Sequence, residues 1–169
     1  MKAQTDEADK KAQCNSIMKA TYVFEGKVDS SKYFTIKTGE YTYANFYAYL
    51  VEVKKVIKGN IQKGTIEIFT PAPGDTYKGP NGIESYKSAE GYSIPPVQGL
   101  YLCWDKTKGI TQSCYANSNT KTLSYYDGIK ATNGVINKNP DYRITEYFST
   151  LADLYAYISA NYGVQVNDK

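Results

Sequence analysis

The sequence predicts a mainly-β chain: a small antiparallel barrel, closed or partly open, with one α-helix packed at its C-terminal end. Three observations carry this prediction. Tyr41 to Gly59 (YTYANFYAYLVEVKKVIKG) is the longest run of strand-type residues and ends in a Lys58-Gly59 stop. Shorter runs of strand-type residues, bounded by turn residues, lie on both sides of it. Only one stretch, Leu151 to Tyr162, repeats its apolar residues at helical spacing. A β-sandwich is the alternative packing of the same strands.

Taken in order, residues 1–13 are charged and are expected to form a flexible N-terminal segment. Asn15 or Ser16 is placed to cap a short helical turn through Ile17 and Met18. Ala20 to Val28 reads as the first strand; the adjacent Val23 and Phe24 imply that both of its faces are partly covered, or that a bulge lies nearby. Gly26 breaks the side-chain row and marks a bend or bulge. Asp29-Ser30-Ser31 reads as a turn, Tyr33 to Lys37 as a short strand and Thr38-Gly39-Glu40 as a hairpin turn.

In the long strand the odd positions run Tyr41, Tyr43, Asn45, Tyr47, Tyr49, Val51, Val53. The even positions run Thr42, Ala44, Phe46, Ala48, Leu50, Glu52, Lys54. The second half has one apolar face, whereas the first half carries apolar or aromatic groups on both. A strand this long has to coil, as strands shared between two sides of a small barrel do. Lys58-Gly59-Asn60 and Gly64 turn the chain into Thr65 to Thr70, which alternates well. Pro71 to Gln98 reads as a long irregular loop rich in Pro and Gly, anchored by Tyr77, Ile83, Tyr86, Tyr92 and Ile94.

Gly99 to Asp105 reads as a strand, Lys106 to Gly109 as a hairpin loop and Ile110 to Tyr115 as its return strand. Asn117 to Thr120 is a polar loop. Leu123 to Lys130 and Gly134 to Ile136 read as a last, weaker strand or hairpin. Pro140 opens a linker to the helix at Leu151 to Tyr162. That helix places Leu151, Leu154, Tyr155, Ile158 and Tyr162 on one face, with Ser149 or Thr150 as its N-cap and Gly163 as its stop. Residues 163–169 form a tail.

Composition narrows the chemistry. The chain has 169 residues, enough for one domain with a real core, and no histidine, which removes Ser-His and Cys-His catalysis and His-rich zinc sites together. Its net charge of +3 is too balanced to favour a phosphate-binding surface, and Arg143 is the only arginine. Lys54, Lys55, Lys58 and Lys63 do cluster, but no nucleic-acid partner is expected. No run approaches the ~20 apolar residues of a membrane span. The polar start, MKAQTDEADKKAQ, lacks the apolar core of a signal peptide and reads as a mature or trimmed chain with an added Met.

Cys14, Cys103 and Cys114 are an odd number of thiols. One disulfide plus one free or intermolecular thiol is the extracellular reading; three buried thiols in a cytosolic protein is the other. The unpaired cysteine leaves room for self-assembly or a covalent dimer. No CxxC pair occurs, so neither a metal cluster nor a cofactor is expected.

The order of motifs resembles a known family. An apolar strand ends in Gly (ATYVFEG), the long strand ends in V-I-K-G, TIEIFT runs into Pro71, and G-L-Y-L (Gly99 to Leu102) leads a hairpin whose return strand ends in Cys114. This resembles the netrin-like domain, the OB-type barrel of the tissue inhibitors of metalloproteinases. It is more similar still to barrel domains of secreted and surface proteins of Bacteroidota-type bacteria, down to the final L-x-D-L-Y-x-Y-I helix. The resemblance covers residues 14–162. It implies an OB-type barrel, secretion or display at the cell surface, and a disulfide tying Cys14 to Cys114; Cys14–Cys103 and Cys103–Cys114 are the rival pairings. The inhibitors act through a mature N-terminal Cys-x-Cys wedge. Here thirteen residues precede Cys14 and position 16 is Ser, so the resemblance does not extend to that mechanism.

These readings converge on a non-catalytic binding, adhesion or assembly module with a protein or glycan partner. A protease-inhibitor-like domain acting through a loop surface is the alternative, and a carboxylate-based hydrolase is a third. Tyr41, Tyr43, Phe46 and Tyr47 on the long strand, with Tyr77, Tyr86 and Tyr92 in the loop, are the candidate binding residues. The competing reading of these rings is that they fill and cover the barrel. Glu52, Glu67, Asp105 and Asp127 lie on or near strands, but no spacing singles out a catalytic pair.

Overall fold

The computed structural model describes residues 2–37, 39–61, 64–82, 84–88, 94–105 and 122–164. Its elements are α1 (Lys2–Met18), β1 (Tyr22–Lys37), β2 (Thr42–Lys58), β3 (Gly64–Lys78), β4 (Glu84–Ser88), β5 (Gln98–Asp105), β6 (Thr122–Thr132), β7 (Val135–Ile136), α2 (Ile144–Tyr147) and α3 (Leu151–Tyr162). The chain is mainly β with a C-terminal helix, as its sequence predicts.

Five strands pair into a ring. β1 lies between β2 and β5, β2 pairs β3, and β5 pairs β6, all antiparallel. A short parallel ladder, Glu67↔Thr122, Ile68↔Leu123 and Phe69↔Ser124, joins β3 to β6 and returns the ring to its start. The strands thus form a small barrel-like ring with one parallel seam. Phe24, Val51, Val53, Ile66, Ile68, Tyr101, Cys103, Leu123 and Tyr125 fill it.

A second apolar cluster lies between the outside of the barrel and the helices. Val23, Ile57, Leu100, Leu102 and Ile129 meet Ile17, Ile144, Leu151, Leu154 and Ile158 there. The adjacent Val23 and Phe24 therefore serve different cores, and a register shift lies between them. Irregularities between Val23 and Gly26 also let β2 change faces: Val53 belongs to the barrel core, whereas Ile57 belongs to the helix-facing one. At Gly26 a Cβ would sit 2.6 Å from the Glu52 carbonyl oxygen and 2.7 Å from Val51 Cγ1, so the close approach of β1 to β2 requires glycine.

Several boundaries differ from the sequence reading. The turn expected at Asp29-Ser30-Ser31 is a bulge between Val28 and Ser30 inside one continuous β1. The irregular stretch expected after Pro71 begins as strand: β3 continues to Lys78, and β4 folds back on it with Thr76 opposite Tyr86. The barrel strands thus extend past the ring into a four-stranded sheet, β4-β3-β2-β1. The hairpin expected at Lys106–Tyr115 lies outside the described residues.

The largest difference is at the N-terminus, where Lys2–Met18 is a single helix. Its Ala, Gln, Lys and Glu residues favour helix, but among its described side chains Cys14 and Ile17 are the buried apolar ones, with Met18 packed beside them, so no apolar stripe announces it. Polar and aromatic groups hold it instead. Asp9 accepts hydrogen bonds from the Tyr147 hydroxyl and pairs with Arg143 at 2.6 Å. Tyr157 donates to Glu7 at 3.0 Å, Tyr162 donates to Asn15, and Lys10 lies over the rings of Phe148 and Tyr157.

Helix α3 agrees with its sequence signals. Thr150 Oγ1 accepts from the Asp153 N–H at 3.1 Å, and Gly163 closes the helix in the left-handed conformation. Its Tyr155 donates to Glu25 at 2.6 Å and lies beneath the Lys55 ammonium, fixing the helix to β1 and β2.

Candidate functional site

The expected aromatic row lies mostly on the sheet that projects past the barrel. By strand alternation Tyr43, Asn45, Tyr47 and Tyr49 share the side of β2 that, further along, carries Val51 and Val53 into the barrel core. The row is thus an outward continuation of the barrel lining. Tyr33, on β1, pairs directly with Tyr47, and their rings meet edge-on at 5.2 Å. Tyr49 follows Tyr47 at 6.1 Å and packs against the core. The outermost ring is Tyr33, 48% exposed.

Asn45 sits in the middle of this face and is buried. Its Oδ1 accepts from the Thr35 hydroxyl at 3.0 Å, and its Nδ2 donates to Thr76 Oγ1 at 2.9 Å. One amide therefore bridges three strands, which is why a polar residue occupies the centre of an aromatic row.

The other candidates divide. Tyr41 precedes β2 and meets Tyr77 edge-on at 6.1 Å; Tyr77 is 46% exposed. Phe46 lies in β2 opposite Pro71, and Tyr86 lies in β4 opposite Thr76. Tyr92 lies outside the described residues. Among the described side chains the structure joins Tyr47 to Tyr33 and Tyr49, and Tyr41 to Tyr77. Tyr33 was absent from the candidates because its partner is set by register, which no local pattern in the sequence displays. Trp104 stacks on Tyr126 at 4.4 Å on the barrel wall and is 42% exposed, so it is not a core residue.

The cysteines do not form the expected staple. Cys14 is buried in the helix-facing core and Cys103 in the barrel core, and both are free thiols. Cys14–Cys103 is therefore not bridged, and Cys14 is not tied to Cys114, which itself lies outside the described residues. Burial pushes the Cys14 thiol up to about 11 and raises that of Cys103 well above its ordinary value.

The lysine cluster is largely committed. Lys54 pairs with Glu52 at 3.0 Å, Lys55 covers the Tyr155 ring, and Lys58 donates to the Met18 carbonyl at 2.6 Å. Lys63 lies outside the described residues. Among the described residues no three acidic or cysteine side chains converge to hold a metal ion. No described helix is long and apolar enough to cross a membrane.

A half-open cleft of about 560 Å³ lies elsewhere, against β6. One wall is the Ile94–Val97 segment, tied down where Tyr101 donates to the Pro96 carbonyl at 2.5 Å and Val28 N–H to that of Val97 at 2.7 Å. The opposite wall is the 137–145 segment, pinned by Thr145, whose hydroxyl meets the Tyr142 carbonyl at 2.7 Å and receives the Asn139 N–H at 2.9 Å. Asp127 lies on its floor; desolvation raises its pKa, and its Oδ1 accepts the Gly128 N–H at 2.9 Å. Tyr142 also lines the cleft. Sequence spacing does not reveal this site, because its two walls lie some forty residues apart.

Compared with known proteins, the chain matches no family model, no curated protein and no solved structure.

Proposed function

We propose that this chain is a secreted or cell-surface, non-catalytic binding, adhesion or assembly module built on a netrin-like OB-type barrel. The observation that supports it most is the tyrosine face on the projecting sheet. Tyr33 and Tyr47 present ring edges and hydroxyls, and Asn45 cross-ties the strands beneath them. A rigid aromatic surface with polar tips gives contact area at low entropic cost, which suits a protein partner. Secretion and the netrin-like assignment rest on the order of motifs from ATYVFEG to G-L-Y-L.

Glu52 is ion-paired with Lys54, and Glu67 is fully buried in β3 beside the parallel seam. Neither is disposed as one of two facing carboxylates across a substrate.

Photo-crosslinking on the producing cells and in their secreted fraction tests this reading. A benzophenone side chain at position 33 or 77 is expected to capture a defined partner that the same group at Ala156, exposed on α3, does not. Tyr47→Ser should weaken that capture about tenfold. Equal labelling from all three positions would overturn the assignment of the face.

A further inference from the structure

The cleft against β6 has features that the tyrosine face does not explain. Its volume of about 560 Å³ lies within the range of about 300–1,000 Å³ of small-ligand sites. Tyr142 lines it, and the Tyr142 hydroxyl is buried without a hydrogen-bond partner in the protein. A buried hydroxyl left unpaired is costly, and such a group calls for a partner from outside the chain. Asp127 also lines the cleft and is half-buried. A carboxylate has room for several donors, and the hydrogen bond it receives comes from the neighbouring Gly128 N–H.

The charges around the cleft restrict what fits. Lys130 and Lys138 line it and are exposed, so a ligand ammonium meets two like charges. Asp127 lies within it, so a ligand carboxylate meets one as well. A neutral molecule carrying many hydroxyl groups avoids both conflicts. It donates to Asp127, accepts from the lysine ammonium groups and exchanges a hydrogen bond with Tyr142. The wall of Ile94, Pro96 and Val97 offers apolar surface for C–H groups. Both walls are held by internal hydrogen bonds from Tyr101 and Thr145, so a turn of the Tyr142 side chain is the one movement needed to bring its buried hydroxyl to the ligand.

We propose that this cleft is a binding site for a neutral pyranose sugar unit, distinct from the tyrosine face and independent of the partner proposed for it. A titration of the full chain followed by amide NMR shifts tests this. The probes are the methyl glycosides of glucose, galactose, mannose and N-acetylglucosamine, with methylammonium and acetate as charged controls. At least one glycoside is expected to give saturable shifts confined to residues 94–97, 125–130 and 137–145, with Tyr142→Phe and Asp127→Asn each weakening binding about tenfold. No saturable shifts with any glycoside, or shifts produced only by a charged control, would overturn the proposal. A second readout needs no ligand. Removing an unpaired buried hydroxyl should leave Tm unchanged or raise it, so a clear fall in Tm for Tyr142→Phe would show that the hydroxyl serves the fold instead. Tyr47→Ser should leave glycoside binding intact, which separates failure of this site from failure of the tyrosine face.

Discussion

Asn45 shows how one polar residue sets the geometry of an aromatic surface. Its amide reaches Thr35 on β1 and Thr76 on β3, on either side of its own strand. Replacement by Ala removes both cross-strand bonds. At roughly 0.5–1.5 kcal/mol per bond the expected cost is about 2 kcal/mol, a Tm fall of roughly 4–8 °C for a chain of this size. Thermal unfolding of Asn45→Ala checks this. If the amide also aligns the rings, the variant should lose partner capture even at temperatures where it is fully folded; unchanged capture and unchanged Tm would remove Asn45 from the site. The sequence displays Asn45 only as a polar interruption in a tyrosine row. Its role became legible once register placed Thr35 and Thr76 beside it.

At the scale of elements, helices α1 and α3 differ in what made them readable. Helix α3 carries its apolar residues, its Thr150 cap and its Gly163 stop in sequence order, so it could be read directly. Helix α1 has almost no apolar face, and its docking depends on partners more than a hundred residues away, such as Tyr147, Tyr157 and Tyr162. Strand β1 was read as two strands for a related reason: Asp29-Ser30-Ser31 has turn chemistry, but the pairing of its flanks with β2 absorbs it as a bulge.

The docking of α1 has a pH signature. The Tyr147 hydrogen bond and then the Arg143 guanidinium hold the Asp9 carboxyl below its ordinary value. A carboxyl depressed in the folded state contributes stability that is present above its unfolded pKa of about 3.9 and is lost as pH falls through the folded value. Tm of the wild type should therefore decline more steeply than that of Asp9→Asn as pH falls below about 4. At neutral pH Asp9→Asn should show faster amide exchange across α1. Identical acid limbs in the two proteins would mean that the Asp9 contact contributes nothing to docking.

At the scale of the molecule, the two cores predict two levels of opening. Cys14 is covered by the contact between α1 and the outside of the barrel, whereas Cys103 is enclosed by the ring itself. Exposing Cys14 requires that α1 leave the helix-facing core and its contacts with Arg143, Tyr147, Tyr157 and Tyr162, with the barrel ring intact. Exposing Cys103 requires breaking a strand ladder that also holds Phe24 and Tyr101, whose rings stack at 5.4 Å. Local openings that release a peripheral element cost less free energy than global unfolding. Both thiols should be slow toward a disulfide reagent in the native protein, because burial disfavours the thiolate of each. Cys14 should nonetheless react first, and Asp9→Asn should accelerate it while leaving Cys103 unchanged. Timed labelling read by peptide mass spectrometry distinguishes the two sites. Equal rates for Cys14 and Cys103, accelerated together by Asp9→Asn, would show instead that helix and barrel unfold as one unit.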